Sequence, residues 1–153
     1  IFSGYGYSFA TFSLASLLII LYTFLSSAMM LFLVSLIKSQ NAFGALSGVL
    51  GTVIGFISGI YMPLEVLGEF MTKVASLNPF THMTILLKQV LLKEPYALLH
   101  EEFVSAIETP FGTKEIGIFG IHVDMIYLML FTGIVAFILL FFSYHNMNKK
   151  MKR

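Results

Sequence analysis

Three long apolar runs dominate the pattern of hydrophobic and polar positions along the chain. They are Leu14–Ile37, Phe43–Met62 and Met125–Tyr144, and none of them contains a charged residue. About 20 apolar residues are enough for a helix to cross a bilayer. A helix that is apolar on every face has no stable place in water unless other residues cover it, and too few polar residues remain here to do so. The pattern therefore predicts an all-α integral membrane protein with three transmembrane helices.

The segment 63–124, between the second and third runs, has a different pattern. Apolar residues recur at helical spacing on both sides of Asn78-Pro79, which predicts a pair of amphipathic helices lying at or dipping into the outer leaflet. A broken helix is tolerated in hydrocarbon only where protein or water covers its backbone, so the pair should lie on a cavity or a partner. Further along, the sequence predicts a helix break at Glu94-Pro95, a short helix over Ala97–Ile107, a turn over Thr109–Thr113 and a short strand or hairpin over Ile116–Ile121.

The positive charges predict the orientation of the three helices. The link 38–41 and the tail 145–153 carry five Lys and Arg residues and no acid, whereas segment 63–124 carries four Lys residues against eight acids. Lys and Arg are retained on the cytoplasmic side. We therefore expect a multi-pass protein of the cell membrane whose link 38–41 and C-terminus are cytoplasmic. Segments 1–12 and 63–124 should then be external.

Composition narrows the chemistry that the chain can perform. It is 58% hydrophobic and 11% charged, with a net charge of +1 and no Cys, which argues against disorder, a nucleic-acid partner and thiolate metal sites. His100-Glu101 lacks the second His of a zinc-protease motif, and no phosphate-binding glycine loop is present. We expect neither catalysis nor a cofactor or metal bound by this chain. Because the chain begins with Ile and has no basic leader, we expect residues 1–12 to be the external end of a preceding span or loop.

Five glycines in the second run follow a 4-3-4-4 spacing. They are Gly44, Gly48, Gly51, Gly55 and Gly59. At 100° per residue they fall within about 80° of one another on one helix face. Small residues at such spacing let a second helix approach closely. Two interpretations stay open, namely packing within one subunit and packing along a moving interface or a subunit contact.

The order of several short motifs resembles the ABC type-2 exporter permeases. The run Gly55–Leu64 looks like the end of the fifth helix of that family, which typically finishes in an "sGi…fPl" pattern. Val74–His82 and Leu86–Val90 resemble its external re-entrant pair and the helix that follows. The last span with its basic cytoplasmic end also matches. The resemblance covers most of Leu14–Arg153 and would make this segment the last three of six spans.

The resemblance implies a permease that dimerises, as a homodimer or heterodimer, and pairs with two ATP-binding subunits that hydrolyse ATP to drive export. It implies a minor contact with the ATPase at Lys38, Ser39 and Gln40. It also implies an external re-entrant gate, which we assign to Pro63, Glu65, Asn78, Pro79 and His82. His82 either binds a substrate group or caps and packs a turn. The alternative function is a non-transporting membrane scaffold or assembly protein that holds its partners with the glycine face.

Overall fold

The computed structural model describes residues 7–111 and 123–151, and within these ranges the regular structure is entirely helical. The described ranges contain six α-helices and one 3-10 turn, in the order α1 (Phe9–Leu36), α2 (Gln40–Ile57), the 3-10 turn (Leu64–Leu67), α3 (Gly68–Ser76), α4 (Pro79–Tyr96), α5 (Glu101–Phe111) and α6 (Met125–Met151). Within the described residues α1, α2 and α6 are long and apolar enough to cross a membrane. The predicted class, all-α integral membrane, is confirmed.

The ends of the three long helices differ from the ends of the apolar runs. Helix α1 begins at Phe9, five residues before the apolar run that starts at Leu14. The Ser8 hydroxyl caps this end by accepting a hydrogen bond from the amide of Ala10 (3.2 Å). Helix α6 continues past Tyr144 into the polar tail as far as Met151. Helix α2 ends at Ile57, five residues before the run does. Apolarity marks what lies in the membrane, whereas capping chemistry decides where a helix stops.

The external segment also departs from the prediction beyond the Asn78-Pro79 break. Pro95 does not break α4, which ends at Tyr96, since a proline in the last turn removes a single helical hydrogen bond. Helix α5 runs through residues 109–111, where a turn was expected, and begins later than predicted, at Glu101. The strand or hairpin predicted at residues 116–121 lies outside the described residues.

Helices α1 and α6 form the main pair, and they run in the same direction. Leu128, in the first turn of α6, packs in one cluster with Leu18, in the third turn of α1. Near their last turns the Ser143 hydroxyl donates to the carbonyl oxygen of Leu31 (3.0 Å), and the side-chain amide of Asn146 donates to the Ser35 hydroxyl (3.4 Å). The two parallel helices therefore pack side by side from Leu18 to Ser35 of α1, with hydrogen bonds between them toward their C-terminal ends.

The outer faces of this pair are strongly apolar. Ile20 on α1 and Phe137 and Phe141 on α6 are each 67% exposed. A water-soluble monomer rarely leaves so much contiguous apolar surface uncovered. Hydrocarbon is the solvent that such faces require, so the protein is embedded in a membrane.

Helix α4 inserts beside α1 and α6 instead of lying on a surface. Its first residues meet the middle of α1, where Phe80 packs against Tyr22 and Leu25. Its last turn meets the beginning of α1, where the Glu94 carboxylate accepts hydrogen bonds from the Ser8 amide (2.9 Å) and the Thr11 hydroxyl (2.6 Å). Helix α4 is therefore antiparallel to α1 and reaches about 20 Å along it from its first turn. This is the geometry of a re-entrant helix.

Helix α2 is the least covered of the three long helices. Gly55 is the one residue of α2 that is fully buried. Ile54 packs against the cluster around Leu25, so α2 approaches the middle of α1 only near its own end. Most of α2 has no neighbour in the described part of the chain.

Candidate functional site

The junction between the end of α2 and the beginning of α4 contains the most specific polar chemistry of the described residues. Helix α2 ends in a motif that requires glycine. Gly59 has φ +72°. The Ile60 amide donates a hydrogen bond to the carbonyl oxygen of Gly55 (3.2 Å), and the Gly59 amide donates one to the carbonyl oxygen of Phe56 (3.2 Å). Two such bonds around a left-handed residue form a Schellman motif. Gly59 therefore terminates α2 and is not on its helical face, which corrects the five-glycine prediction.

Two side chains of α4 complete the end of α2. The Thr81 hydroxyl donates to the carbonyl oxygen of Ile57 (3.2 Å), and the Lys88 ammonium donates to that of Gly59 (2.7 Å). A backbone carbonyl without a partner costs several kcal/mol in hydrocarbon. A positively charged lysine near the C-terminal end of a helix also interacts favourably with the negative end of the helix dipole. The end of α2 is thus stabilised by the re-entrant helix.

Asn78, Pro79 and His82 build the tight turn that starts α4. The Asn78 side chain accepts a hydrogen bond from the Phe80 amide (3.1 Å), and Pro79 occupies the first helical position, where its missing N–H costs nothing. His82 is 2% exposed, and its Nε2 donates to the carbonyl oxygen of Ser76, the last residue of α3 (2.7 Å). The geometry places His82 as a cap between α3 and α4, the second of its two predicted roles.

No hydrogen bond of the described residues joins the other two residues of the predicted gate, Pro63 and Glu65, to this turn. Pro63 precedes the 3-10 turn and has no side-chain capping bond. The side chain of Glu65 lies outside the described part of the structure. On α3, Lys73 pairs with Glu69 (2.7 Å), which lowers the pKa of the exposed Glu69 carboxyl. The structure therefore brings together Asn78, Pro79 and His82 from the predicted gate.

The glycines of α2 divide into two groups. A Cβ added at Gly44, Gly48 or Gly51 would meet nothing within 4 Å in the described chain. A Cβ at Gly55 would overlap the ring of Tyr61, so this glycine packs against an aromatic side chain and not against the backbone of another helix. Packing within the subunit thus explains Gly55, whereas it does not explain Gly44, Gly48 and Gly51.

The predicted ATPase contact is a short exposed hairpin. Lys38, Ser39 and Gln40 are all exposed, and the Ser39 hydroxyl caps α2 by accepting from the Ala42 amide (3.5 Å). The ammonium of Lys150 on α6 approaches the carbonyl oxygen of Ile37 (3.4 Å). The hairpin and the basic end of α6 therefore form one continuous surface at this end of the molecule.

Sequence reasoning missed Thr81, Lys88 and Glu94 as structural partners. In the sequence Lys88 is one of several charges of segment 63–124, yet in the structure it lies beside Ile19 and Thr23, within the apolar run of α1. The three apolar runs contain no charge, yet a charged side chain, Lys88, lies at their depth because α4 carries it there. A signal was available in the helical register, since Thr81 and Lys88 are seven residues apart and share a face of α4.

These features define a class of protein, a polytopic α-helical membrane protein with a re-entrant helix that buttresses the end of a transmembrane helix. No group of residues able to hold a metal ion occurs in the described ranges. The family described as ABC-2 family transporter protein matches residues 1–143, and the chain belongs to that family. Neither the comparison with curated proteins nor that with solved structures gave a match. The chain is thus the membrane permease component of an ABC transporter.

Proposed function

We propose that this chain forms part of the substrate path of an ATP-driven exporter and works with a separate ATP-binding subunit. The family match over residues 1–143 is the observation that carries the proposal. The family is a membrane transport component and is not itself catalytic. Energy must then come from a partner that binds two conformations of the permease with different affinity.

The exposed hairpin gives such a partner a place to act. Lys38, Ser39 and Gln40 lie at the end of α1 and the beginning of α2, so a subunit bound there touches both helices. The excess of positive charge on this side supports a cytoplasmic location for the hairpin and the C-terminus. We propose that the hairpin is a minor ATPase contact.

The open face of α2 supports the proposal of a second permease subunit. Gly44, Gly48 and Gly51 leave a smooth groove that has no neighbour among the described residues. Small residues at this spacing let two helices approach to backbone contact in a membrane, where packing drives association. A homodimer or a heterodimer would bury this groove.

Reconstitution of the permease with its ATPase in lipid vesicles tests the function. We expect ATP hydrolysis that rises with transport, and substrate movement that stops without ATP. Substrate movement down its gradient at the same rate without ATP would exclude a pump. A complex that assembles but moves no substrate would instead support the scaffold alternative.

Glycine substitution of the hairpin tests its coupling role. Replacing Lys38, Ser39 and Gln40 together by glycine should lower transport-linked hydrolysis in part, while membrane insertion is retained. The matched control is Ser39→Gly alone, because this change removes the cap of α2 and keeps the charge of Lys38. Equal hydrolysis in the triple variant and the unchanged protein would exclude the hairpin as a coupling contact.

A further inference from the structure

A cavity of about 410 Å³ lies between α1, α4 and the turn that follows α2. Its wall is built mostly from apolar side chains, including Ile19, Ile60 and Leu91. It occupies the stretch of α1 that is apolar in sequence and lies directly beside the ammonium-bearing side chain of Lys88. Ligand sites are commonly apolar cavities with a small number of polar groups that orient the ligand.

Lys88 is the charged group of this wall, and it retains hydrogen-bonding capacity for an anion. The Thr23 hydroxyl donates to the carbonyl oxygen of Ile19 and the Thr84 hydroxyl to that of Phe80, each at 2.8 Å, so both hydroxyl protons stay within their own helices. An ammonium group has three donors. One of them goes to the carbonyl oxygen of Gly59, which leaves two for a ligand.

Among the described side chains, none forms an ion pair with Lys88. The ion pair formed by the described side chains is Lys73–Glu69 on α3, and it does not include Lys88. A partly buried charge is costly unless an opposite charge accompanies it. An ionisable side chain within the apolar layer of a membrane protein marks a functional site by default. An anion at this position would supply the missing charge.

We propose that the cavity binds a single-chain amphiphile with an anionic head group, such as a fatty acid, with its chain along the apolar wall and its carboxylate on Lys88. The volume lies toward the lower end of the range for ligand sites, about 300–1,000 Å³, which favours one chain over a two-chain phospholipid. This site goes beyond the proposed function, because it assigns a ligand class to a place that pumping alone does not require.

Photolabelling of the full-length permease in an uncharged detergent tests the proposal. The probe is palmitate with a diazirine in its chain, and the labelled residues are mapped by mass spectrometry. We expect labels around Ile19, Ile60 and Leu91. Unlabelled palmitate should compete, whereas 1-hexadecanol, which has the same chain length without the charge, should compete about tenfold less, as expected for loss of a charge-assisted hydrogen bond.

Variants of the two lysines of α4 provide the matched comparison. Lys88→Met keeps the apolar stem and should reduce labelling about tenfold by loss of the charged contact, whereas Lys88→Arg should retain most of it. Lys93→Met is the control, since Lys93 is exposed and lies about 140° around the helix from Lys88. Ile60→Trp keeps Lys88 and its bond to Gly59, and it should block the cavity mouth and lower labelling.

Three results would overturn the proposal. One is equal competition by palmitate and hexadecanol, and another is labelling spread evenly over the lipid-facing sides of α1, α2 and α6. The third is competition by dioleoylphosphatidylglycerol but not by palmitate, which would exclude the single-chain ligand. The assay needs no ATPase and no ATP, so its failure is distinguishable from failure of the proposed pump.

Discussion

At the residue scale, the end of α2 shows how backbone groups are satisfied at the depth of the apolar runs. The last carbonyl oxygens of the helix accept from the amides of Ser58, Gly59 and Ile60 and from the hydroxyl of Thr81. Gly59 makes this arrangement possible because it adopts φ +72°, a conformation that costs other residues about 1–2 kcal/mol.

Gly59→Ala should therefore lower the stability of the protein by at least about 1–2 kcal/mol. The added Cβ would also lie 3.1 Å from Cγ of Leu64, which must shift. Thermal unfolding in detergent, followed by circular dichroism at a helical wavelength, measures the change. The control is Gly133→Ala in the interior of α6, where a Cβ meets nothing and where alanine should add about 0.5–1 kcal/mol. Equal melting temperatures for both variants would contradict the role assigned to Gly59.

At the element scale, helices α4 and α2 differ sharply in how much of their surface the rest of the chain covers. Residues 80–86 of α4 are all buried, because α1, α3, α6 and the end of α2 pack around this helix. On α2 the open glycine face gives a partner helix direct access to the backbone. A partner that fills this face would be sensitive to any side chain placed there.

Gly48→Leu should weaken association of two permease subunits and leave the fold of each intact. The structure has open space at this position, so leucine meets no atom of its own chain. Against a partner helix it would hold the two backbones apart, and overpacking typically costs about 1–3 kcal/mol. Size-exclusion chromatography with light scattering measures the oligomeric state.

Val53→Leu is the control for this prediction. Val53 is exposed and lies about 140° around α2 from Gly48. Gly55→Leu is unsuitable, because the added side chain would collide with Tyr61 of the same chain. If Gly48→Leu and Val53→Leu formed dimers equally well, the proposed interface on α2 would be wrong.

The long helices were predictable from sequence because hydrocarbon thickness dictates a minimum apolar length. Their ends were not predictable from apolarity. Gly59 is apolar by composition, yet its conformation ends α2, and the polar tail after Tyr144 remains helical. The break at Asn78-Pro79 was predictable because its signal is local, with a side-chain cap followed by proline.

The candidate site was only partly predictable, because its contacts join distant parts of the sequence. Lys88 bonds to Gly59 across 29 positions, and Glu94 bonds to Ser8 across 86. Hydrophobic periodicity identifies a helix and gives no information on how deeply it inserts. The depth of Lys88 therefore became apparent only from the packing of α4 against α1.

At the scale of the whole molecule, orientation in the membrane connects the hairpin with the proposed ATPase. The chain has no Cys, so a single introduced thiol reports its own position. We expect Ser105→Cys, on exposed α5, to react with an impermeant maleimide in intact cells. Ser39→Cys, on the exposed hairpin, should react only after the membrane is opened. The reverse pattern would contradict both the orientation and the proposed ATPase contact.

The two bonds from α4 to the end of α2 also have a mechanical consequence. Helix α2 is about 27 Å long, and its firm attachments lie near one end. We therefore expect α2 to pivot about the Ile57–Gly59 turn, because α4 holds that end while the Gln40 end continues into the exposed hairpin. A tilt of about 10° at this turn would move the Gln40 end by about 5 Å, close to the pitch of one helical turn. A small force on the hairpin would thus move the Gln40 end of α2, while the end that α4 binds stays in place.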